Sequence, residues 1–193
     1  LIVVSDFMPI PILALSKHIH FQLVHDIRNF TEFKRVNYFS LAKLFQKRQW
    51  EKCQNIITVS NFSKNEIVQN CNVDPEDIFV SPNGINNAYF KNQLDVKPDI
   101  DILYVATFEK RKNHQFLLKA LENFNKKKPI KVCLIGKNLG NKKEIMGLAK
   151  QLNNVEIDFV DNINSEQELI EFYDRSNLFI SPSLYEGFGM PII

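Results

Sequence analysis

Two short stretches hold the residues with the most chemical content. Arg111 and Lys112 place two adjacent cations after an apolar run, where a helix is expected to begin. Gly187-Phe188-Gly189 supplies a flexible turn whose N–H groups are also expected to precede a helix. Cations together with a glycine-rich helix start suit an anion such as a diphosphate. Glu186, beside those glycines, can accept hydrogen bonds from sugar hydroxyls. The residue types alone therefore point to a nucleotide or another phosphorylated ligand. Each stretch also has a plainer explanation, Lys110-Arg111-Lys112 as the solvated start of a helix and the glycines as formers of a tight turn. Their expected convergence on one edge of one sheet favours the ligand.

Other candidates carry less. His25-Asp26 ends an apolar run, and a histidine at a strand's carboxyl end can carry a proton or stabilise charge; it can equally be structural or solvated. His18, His20 and His114 have no such acidic neighbour. No GxGxxG follows a strand and no GxxxxGK occurs, so neither a dinucleotide fingerprint nor a P-loop is supported. Gly136-Lys137-Asn138-Leu139-Gly140 fits a strand-to-helix turn better than a phosphate cradle. Asp99-Ile100-Asp101 mimics a metal-binding carboxylate pair but leads into a strand at the wrong edge, so no metal is expected. Residues 34–52 hold six basic side chains against one acid, Glu51, with Val36, Phe39, Leu41, Leu44, Phe45 and Trp50 between them. Such a stretch is either a surface helix with one core face or a basic amphipathic helix resting on an anionic membrane.

The elements that must position these residues follow from periodicity. Short apolar runs alternate with amphipathic stretches, an α/β pattern. Strands are expected at 1–5, 20–25, 55–59 and 78–81, with helices near 35–52 and 63–70, the latter opened by Ser63 and Glu66 as a capping box. Ser81-Pro82-Asn83-Gly84 reads as a turn, and the polar, aperiodic 86–99 as a linker. Further strands are expected at 101–106, 131–136, 155–160 and 177–181, and helices near 113–127, 142–152 and 165–175, the last capped by Ser165 and Glu168. This alternation implies right-handed crossovers and parallel sheets. Ligands bind outside the carboxyl ends of such strands, which is where 107–112, 136–141, 161–164 and 182–190 emerge.

Composition narrows the class. The chain has 193 residues, 45% apolar and 24% charged, too apolar for disorder. A net charge of +2, with 19 Lys to 5 Arg, gives no argument for nucleic acid. Cys53, Cys71 and Cys133 are odd in number and widely spaced, so they are expected to be reduced thiols in a cytosolic protein. No apolar run reaches the ~20 residues of a spanning helix. The Phe7–Leu15 run contains Pro9 and Pro11 without a preceding basic segment, unlike a signal sequence. Leu1 already opens in strand-like sequence and Pro191-Ile192-Ile193 has no helix stop, so the expectation is an internal fragment.

Taken together, these stretches resemble a glycosyltransferase of the GT-B fold, from the retaining enzymes of family 4, also called group 1. Val24-His25-Asp26 resembles the family's acceptor-side histidine segment. Ile57-Thr58-Val59-Ser60 with Phe62-Ser63 resembles its "vS.fs" helix start, and Ser81-Pro82-Asn83-Gly84-Ile85 its "pNGid" turn. Ile102-Leu103-Tyr104-Val105 with Phe108-Glu109-Lys110-Arg111-Lys112-Asn113 resembles the "lyvGtfepRKN" segment. Ser181-Pro182-Ser183-Leu184-Tyr185-Glu186-Gly187-Phe188-Gly189-Met190-Pro191 resembles "PSlyEGFGlP", the most specific of the set.

The resemblance implies two Rossmann-like domains of the GT-B type, both incomplete in this chain: an acceptor-side domain over 1–90, a linker at 91–99 and a nucleotide-sugar domain over 100–193. It implies that Arg111 and Lys112 hold the donor diphosphate and that Gly187, Phe188 and Gly189 present backbone amides to sugar and phosphate. Glu186 lies against the transferred sugar, and His25 supports the transition state. The implied donor is UDP- or GDP-linked, with no cofactor or metal. The implied acceptor is a glycan or lipid-linked glycan, in bacterial cell-surface polysaccharide synthesis. The implied location is cytoplasmic, with peripheral contact at the inner membrane face through 34–52. Two departures stand out: Ala106 replaces the family's usual glycine, and the second glutamate of the motif would fall just past Ile193, so the fragment itself is expected to be inactive. The alternatives are a nucleotide-sugar epimerase of the same fold and a non-catalytic binding subunit; a phosphorylase lacks its expected lysine context.

Overall fold

Runs of Ile, Val and Leu form parallel strands throughout the described chain. The computed structural model describes residues 2–6, 19–27, 47, 48, 50–90, 96–122 and 128–193. They fall into two units, residues 1–84 with 186–190 and residues 85–185 with 191–193. Most of the basic stretch 34–52, the Phe7–Leu15 run and His18 lie outside the described residues.

In the first unit, β1 (Ile2–Asp6), β2 (Ile19–Val24), β3 (Ile56–Thr58) and β4 (Ile78–Val80) form one parallel sheet in that order. Helix α1 (Asn61–Cys71) follows β3. Its buried Ser63, Ile67 and Cys71 recur every fourth residue, a single stripe facing the sheet. They join a core of Val24, Ile27, Trp50, Ile56, Val73 and Ile78. Thr58 is fully buried, and its hydroxyl donates to the Val24 carbonyl at 2.8 Å, which removes the cost of burying it unpaired.

The N-terminus of α1 differs from expectation. Ser60, in extended backbone, is the cap, its hydroxyl accepting from the Ser63 N–H at 3.0 Å. Ser63 therefore lies inside the first turn, and the box of Ser63 with Glu66 does not form. The physical reason is burial: Ser63 is enclosed, and its hydroxyl donates instead to the His25 carbonyl at 3.2 Å. At the other end Asn72 takes the left-handed conformation, φ 49°, which asparagine tolerates and which stops the helix.

In the second unit, β5 (Ile102–Val105), β6 (Ile130–Ile135) and β7 (Val155–Val160) form a parallel sheet in the order β5-β6-β7. The segment expected as a strand at 177–181 pairs with the other edge of β5. Its ladder is short: the Leu103 N–H donates to the Leu178 carbonyl at 2.8 Å and the Ile180 N–H to the Leu103 carbonyl at 2.9 Å. Helices α2 (His114–Glu122) and α3 (Lys142–Ala149) contribute Leu117, Leu118, Leu121 and Ile145 to a core with Tyr104, Phe108, Val132 and Leu134. Helix α4 (Glu166–Asp174) packs Leu169, Phe172 and Tyr173 against Leu103, Cys133 and Ile135. Alternate residues of β5 and β6 thus face opposite layers, and β6 reads as a near-continuous apolar run because both of its faces are covered.

Local chemistry sets the element ends here too. Ser165 caps α4, accepting from the Glu168 N–H at 3.1 Å, while the Glu168 carboxylate takes the Asn164 N–H at 2.7 Å, one residue before the cap. The stretch expected as a linker holds a short 3-10 helix at Asn87–Phe90, where Tyr89 meets Tyr173 edge to face at 6.3 Å. Cys53, Cys71 and Cys133 are free thiols, and burial pushes the pKa of Cys71 and Cys133 up to about 11.

His114 opens α2 and is 1% exposed, its ring 4.8 Å from that of Phe108 and 4.7 Å from that of Tyr104. Neither ring nitrogen has a hydrogen-bond partner. Burial, reinforced by the Lys112 charge, pushes its pKa from 6.5 down to about 4. Between those values the unfolded chain takes up a proton that the folded chain refuses, so this contribution is complete above pH 6.5 and is lost as pH falls toward 4. The slope is about 1.4 kcal/mol per pH unit. Urea unfolding of the native protein and of His114→Phe at pH 7 and pH 5 should show the native protein losing about 2 kcal/mol more than the variant. Parallel losses would remove His114 as the cause.

Candidate functional site

β5 is the strand at which the second sheet reverses direction. Its β6 neighbour is reached through α2 on one face, and the 176–180 segment through α4 on the other. In such a sheet the carboxyl edge beside this switch strand is where a ligand crevice is expected, and the loops leaving β5 and 176–180 emerge there. They are the loops that contain Arg111, Lys112 and the approach to Glu186.

Five polar contacts tie β5 and these two loops together. The Arg111 Nη1 donates to the Tyr185 carbonyl at 2.8 Å, and the Leu184 N–H to the Arg111 carbonyl at 2.9 Å. The Asn113 Nδ2 donates to the Pro182 carbonyl at 3.1 Å. The Tyr104 hydroxyl donates to the Lys112 carbonyl at 2.7 Å and lies 3.0 Å from the Ser183 hydroxyl. Arg111 is largely enclosed, its side chain 12% exposed, and its Nη2 also meets the Glu109 carboxylate at 2.6 Å. Thr107 donates to the same carboxylate oxygen at 2.9 Å.

Both expected helix starts are modified. Lys110–Lys112 is a 3-10 turn closed by Asn113 at φ 54°, so one left-handed residue separates the cations from α2. Gly187-Phe188-Gly189 is followed by the 3-10 turn Met190–Ile192. Only Gly189, at φ 83°, adopts a backbone that a side chain resists. Gly187 is required for space: a β-carbon there would lie 2.4 Å from the His25 carbonyl oxygen. Residues 186–190 belong to the first unit, where the Gly187 carbonyl accepts from the Ser60 hydroxyl at 2.5 Å and the Ser63 hydroxyl at 3.3 Å. The structure thus brings His25 to Gly187, with Ser60 and Ser63 beside them, and Arg111 to Tyr185. Glu186 and Phe188 are half-buried, and His25 is exposed.

The weaker candidates are accounted for locally. A β-carbon at Gly136 would sit 2.0 Å from the Ala106 carbonyl oxygen, so that glycine answers to a neighbouring strand end. The following loop closes on itself: Asn138 Oδ1 accepts from the Gly140 N–H at 2.9 Å, and the Phe108 carbonyl accepts from Leu139 and Asn141. Asp99 makes a two-point pair with Arg175 at 2.8 and 2.7 Å, and that hydrogen-bonded guanidinium lowers its pKa. Asp101 accepts from the Lys131 N–H at 2.9 Å. Among the described residues no three His, Cys, Asp or Glu side chains gather as a metal site.

Comparison with known proteins bears on the whole chain. Residues 86–193 match the sequence profile described as "Glycosyl transferases group 1". The chain belongs to the group 1 glycosyl transferases. Residues 5–89 of this group 1 chain match the profile "Glycosyltransferase Family 4". An O-antigen chain mannosyltransferase, RfbU of Salmonella typhimurium, is 28% identical over 179 residues, which cover 88% of this chain and 47% of the relative. Among solved structures, TarM aligns with a TM-score of 0.71 at 18% identity, covering 98% of this chain and 38% of that one. Anabaena HepE, solved with UDP and glucose, aligns at 0.70 and 18% identity, covering 91% and 50%. A Rickettsia africae glycosyltransferase aligns at 0.68 and 19% identity, covering 98% and 54%. The fold class is α/β of the GT-B type, and the chain spans about half the length of the curated relative it matches.

Several contributors to this group 1 site were missed by sequence reasoning. Asn113 had a signal, since Asn after three basic residues suits a left-handed break between turn and helix. Glu109 and Ser183 had none, because their partners are set by tertiary packing. The geometry yields a stability prediction. Arg111→Ala removes a charge-assisted bond to Tyr185 and leaves Glu109 with less than it holds now, so unfolding free energy should drop by about 1–3 kcal/mol. Arg111→Lys should recover only part, because the ammonium lacks the planar fork. Urea midpoints equal to the native protein's would show that the two bonds contribute nothing.

Proposed function

We propose that the protein is a glycosyltransferase moving a hexose-type sugar from a UDP- or GDP-linked donor to a glycan or lipid-linked acceptor, with retention, in cell-surface polysaccharide synthesis. The observation that carries the reading is the group 1 match over 86–193, the stretch that contains the crevice and its sewn loops. The O-antigen chain mannosyltransferase relative and the HepE complexes with UDP and with UDP-glucose support the substrate class.

In this reading Arg111 and Lys112 hold the donor diphosphate. Gly187, Phe188 and Gly189 offer backbone N–H groups to sugar and phosphate, Glu186 contacts the transferred sugar, and His25 stabilises charge developing on it. As the bond from the anomeric carbon to the diphosphate oxygen breaks, its electron pair leaves with the diphosphate, while the acceptor hydroxyl oxygen forms the new bond and its proton passes to the departing diphosphate. Fixed cations where that charge accumulates stabilise the transition state more than the ground state. They supply the countercharge, so no metal or cofactor enters the reading.

Thermal unfolding of the full-length protein with UDP, GDP, ADP and their common sugar conjugates tests it. One nucleoside diphosphate should raise the transition temperature, and Arg111→Ala/Lys112→Ala should weaken its binding by about 2–4 kcal/mol. A folded sample that responds to none overturns the donor assignment. Binding without sugar transfer to any glycan acceptor would favour a non-catalytic subunit.

The proposal includes a cytoplasmic location with peripheral membrane contact through 34–52. No helix among the described residues is long and apolar enough to cross a membrane. Co-sedimentation with liposomes should rise with their anionic lipid content, and indifference to that content would remove the membrane contact.

A further inference from the structure

We propose that Tyr104 is a positioning residue for the donor diphosphate, acting through its hydroxyl on the two loops that border the crevice. The inference rests on the reading of Lys112 as a diphosphate contact and adds how that lysine is placed. Tyr104 lies within β5, is 1% exposed, and belongs to the core beneath the crevice. A tyrosine so enclosed needs partners for its hydroxyl. Both of those found here are loop atoms: the Lys112 carbonyl at 2.7 Å and the Ser183 hydroxyl at 3.0 Å.

One polar atom at a strand's interior thus joins the backbone of the cation turn to a side chain of the segment leading to Glu186. The ring is itself packed, with the His114 ring 4.7 Å away and the Phe108 ring stacked on His114 at 4.8 Å. The chain of contact runs from Phe108 through His114 and Tyr104 to both loops. The 3-10 turn Lys110–Lys112 is too short to hold its own geometry. Its end is held by the Tyr104 hydroxyl on the Lys112 carbonyl and by Asn113 on Pro182. A phenylalanine at 104 keeps the ring and the core and removes only the link, so the Lys112 carbonyl loses this donor while the bonds of Arg111 and Asn113 to 182–185 remain. Loss of one of the bonds that fix the turn weakens a contact that depends on its geometry.

The experiment uses the full-length protein with UDP and GDP, taking whichever nucleotide it binds, together with the corresponding monophosphate. Binding is titrated for the native protein, Tyr104→Phe, Lys112→Ala and the double variant. Tyr104→Phe should weaken diphosphate binding about 5–20-fold, leave monophosphate binding within twofold, and cost no further affinity when Lys112 is already alanine. That selectivity is a readout that general loosening of the fold would not give. If Lys112→Ala weakens binding and Tyr104→Phe does not, the positioning role is overturned while the donor reading stands. If Tyr104→Phe weakens both nucleotides alike, or adds its full loss to that of Lys112→Ala, the role is also overturned. If Lys112→Ala itself leaves diphosphate binding unchanged, the donor reading fails and this inference with it. Ser183→Ala, which removes the other partner of the hydroxyl at a half-buried position, gives the same comparison should Tyr104→Phe not fold; a Ser183→Ala protein with native diphosphate affinity overturns the proposal.

Discussion

β5 is hydrogen-bonded along both edges, and much else in the second unit follows from that. With β6 on one side and 176–180 on the other, the two right-handed crossovers must run in opposite directions, which places α2 and α3 on one face and α4 on the other. Ligands in such sheets bind at the carboxyl edge beside the strand where the order reverses. The crevice is therefore a consequence of strand order. It needs no special residue to open it, only residues to line it. Gly136 shows how tightly the neighbouring strand end is packed, since the Ala106 carbonyl occupies the volume a side chain would need.

Sequence patterns gave the strands readily because both faces of these sheets are covered, so each strand is a run of β-branched and aliphatic residues bounded by turns. The strand at Val155–Val160 falls where its pattern ends. Elements were misjudged where a single polar residue decides the boundary. The helix expected from 113 begins at His114 because Asn113 turns left-handed, and α1 begins after Ser60 because Ser63 is drawn into the core. The segment at 177–181 has the composition of a strand, yet its pairing with β5 is limited to a few bonds around Ser176–Ile180 before Pro182, which has no N–H to continue a ladder.

The candidate residues were legible as types and only partly as arrangements. Two adjacent cations after a strand and a glutamate beside paired glycines announce an anion and a sugar. Which atoms hold them in place is a matter of contacts between residues far apart in sequence: Tyr104 with Ser183, Asn113 with Pro182, Gly187 with Ser60. No periodicity encodes such pairs. The buried polar groups of β5 and α2 are the exception that a sequence reader could have questioned, because a tyrosine and a histidine at core positions must each either find partners or lose their charge. Tyr104 does the first and His114 the second.

Arg111 shows why arrangement matters more than type. A guanidinium proposed to meet a diphosphate already touches the Glu109 carboxylate and the Tyr185 carbonyl, so its charge is partly balanced before any ligand arrives. That lowers the long-range attraction the loop can exert on an anion, and it also fixes the plane of the fork. The second effect outweighs the first for a site that must discriminate. A flexible arginine spends up to about 2 kcal/mol of rotamer freedom on being ordered by its ligand, whereas one held by two bonds has little left to lose. The Lys112 carbonyl is held in the same seam by the Tyr104 hydroxyl at 2.7 Å. The arginine thus helps set the shape of the loop, and the backbone of the neighbouring lysine is fixed beside it.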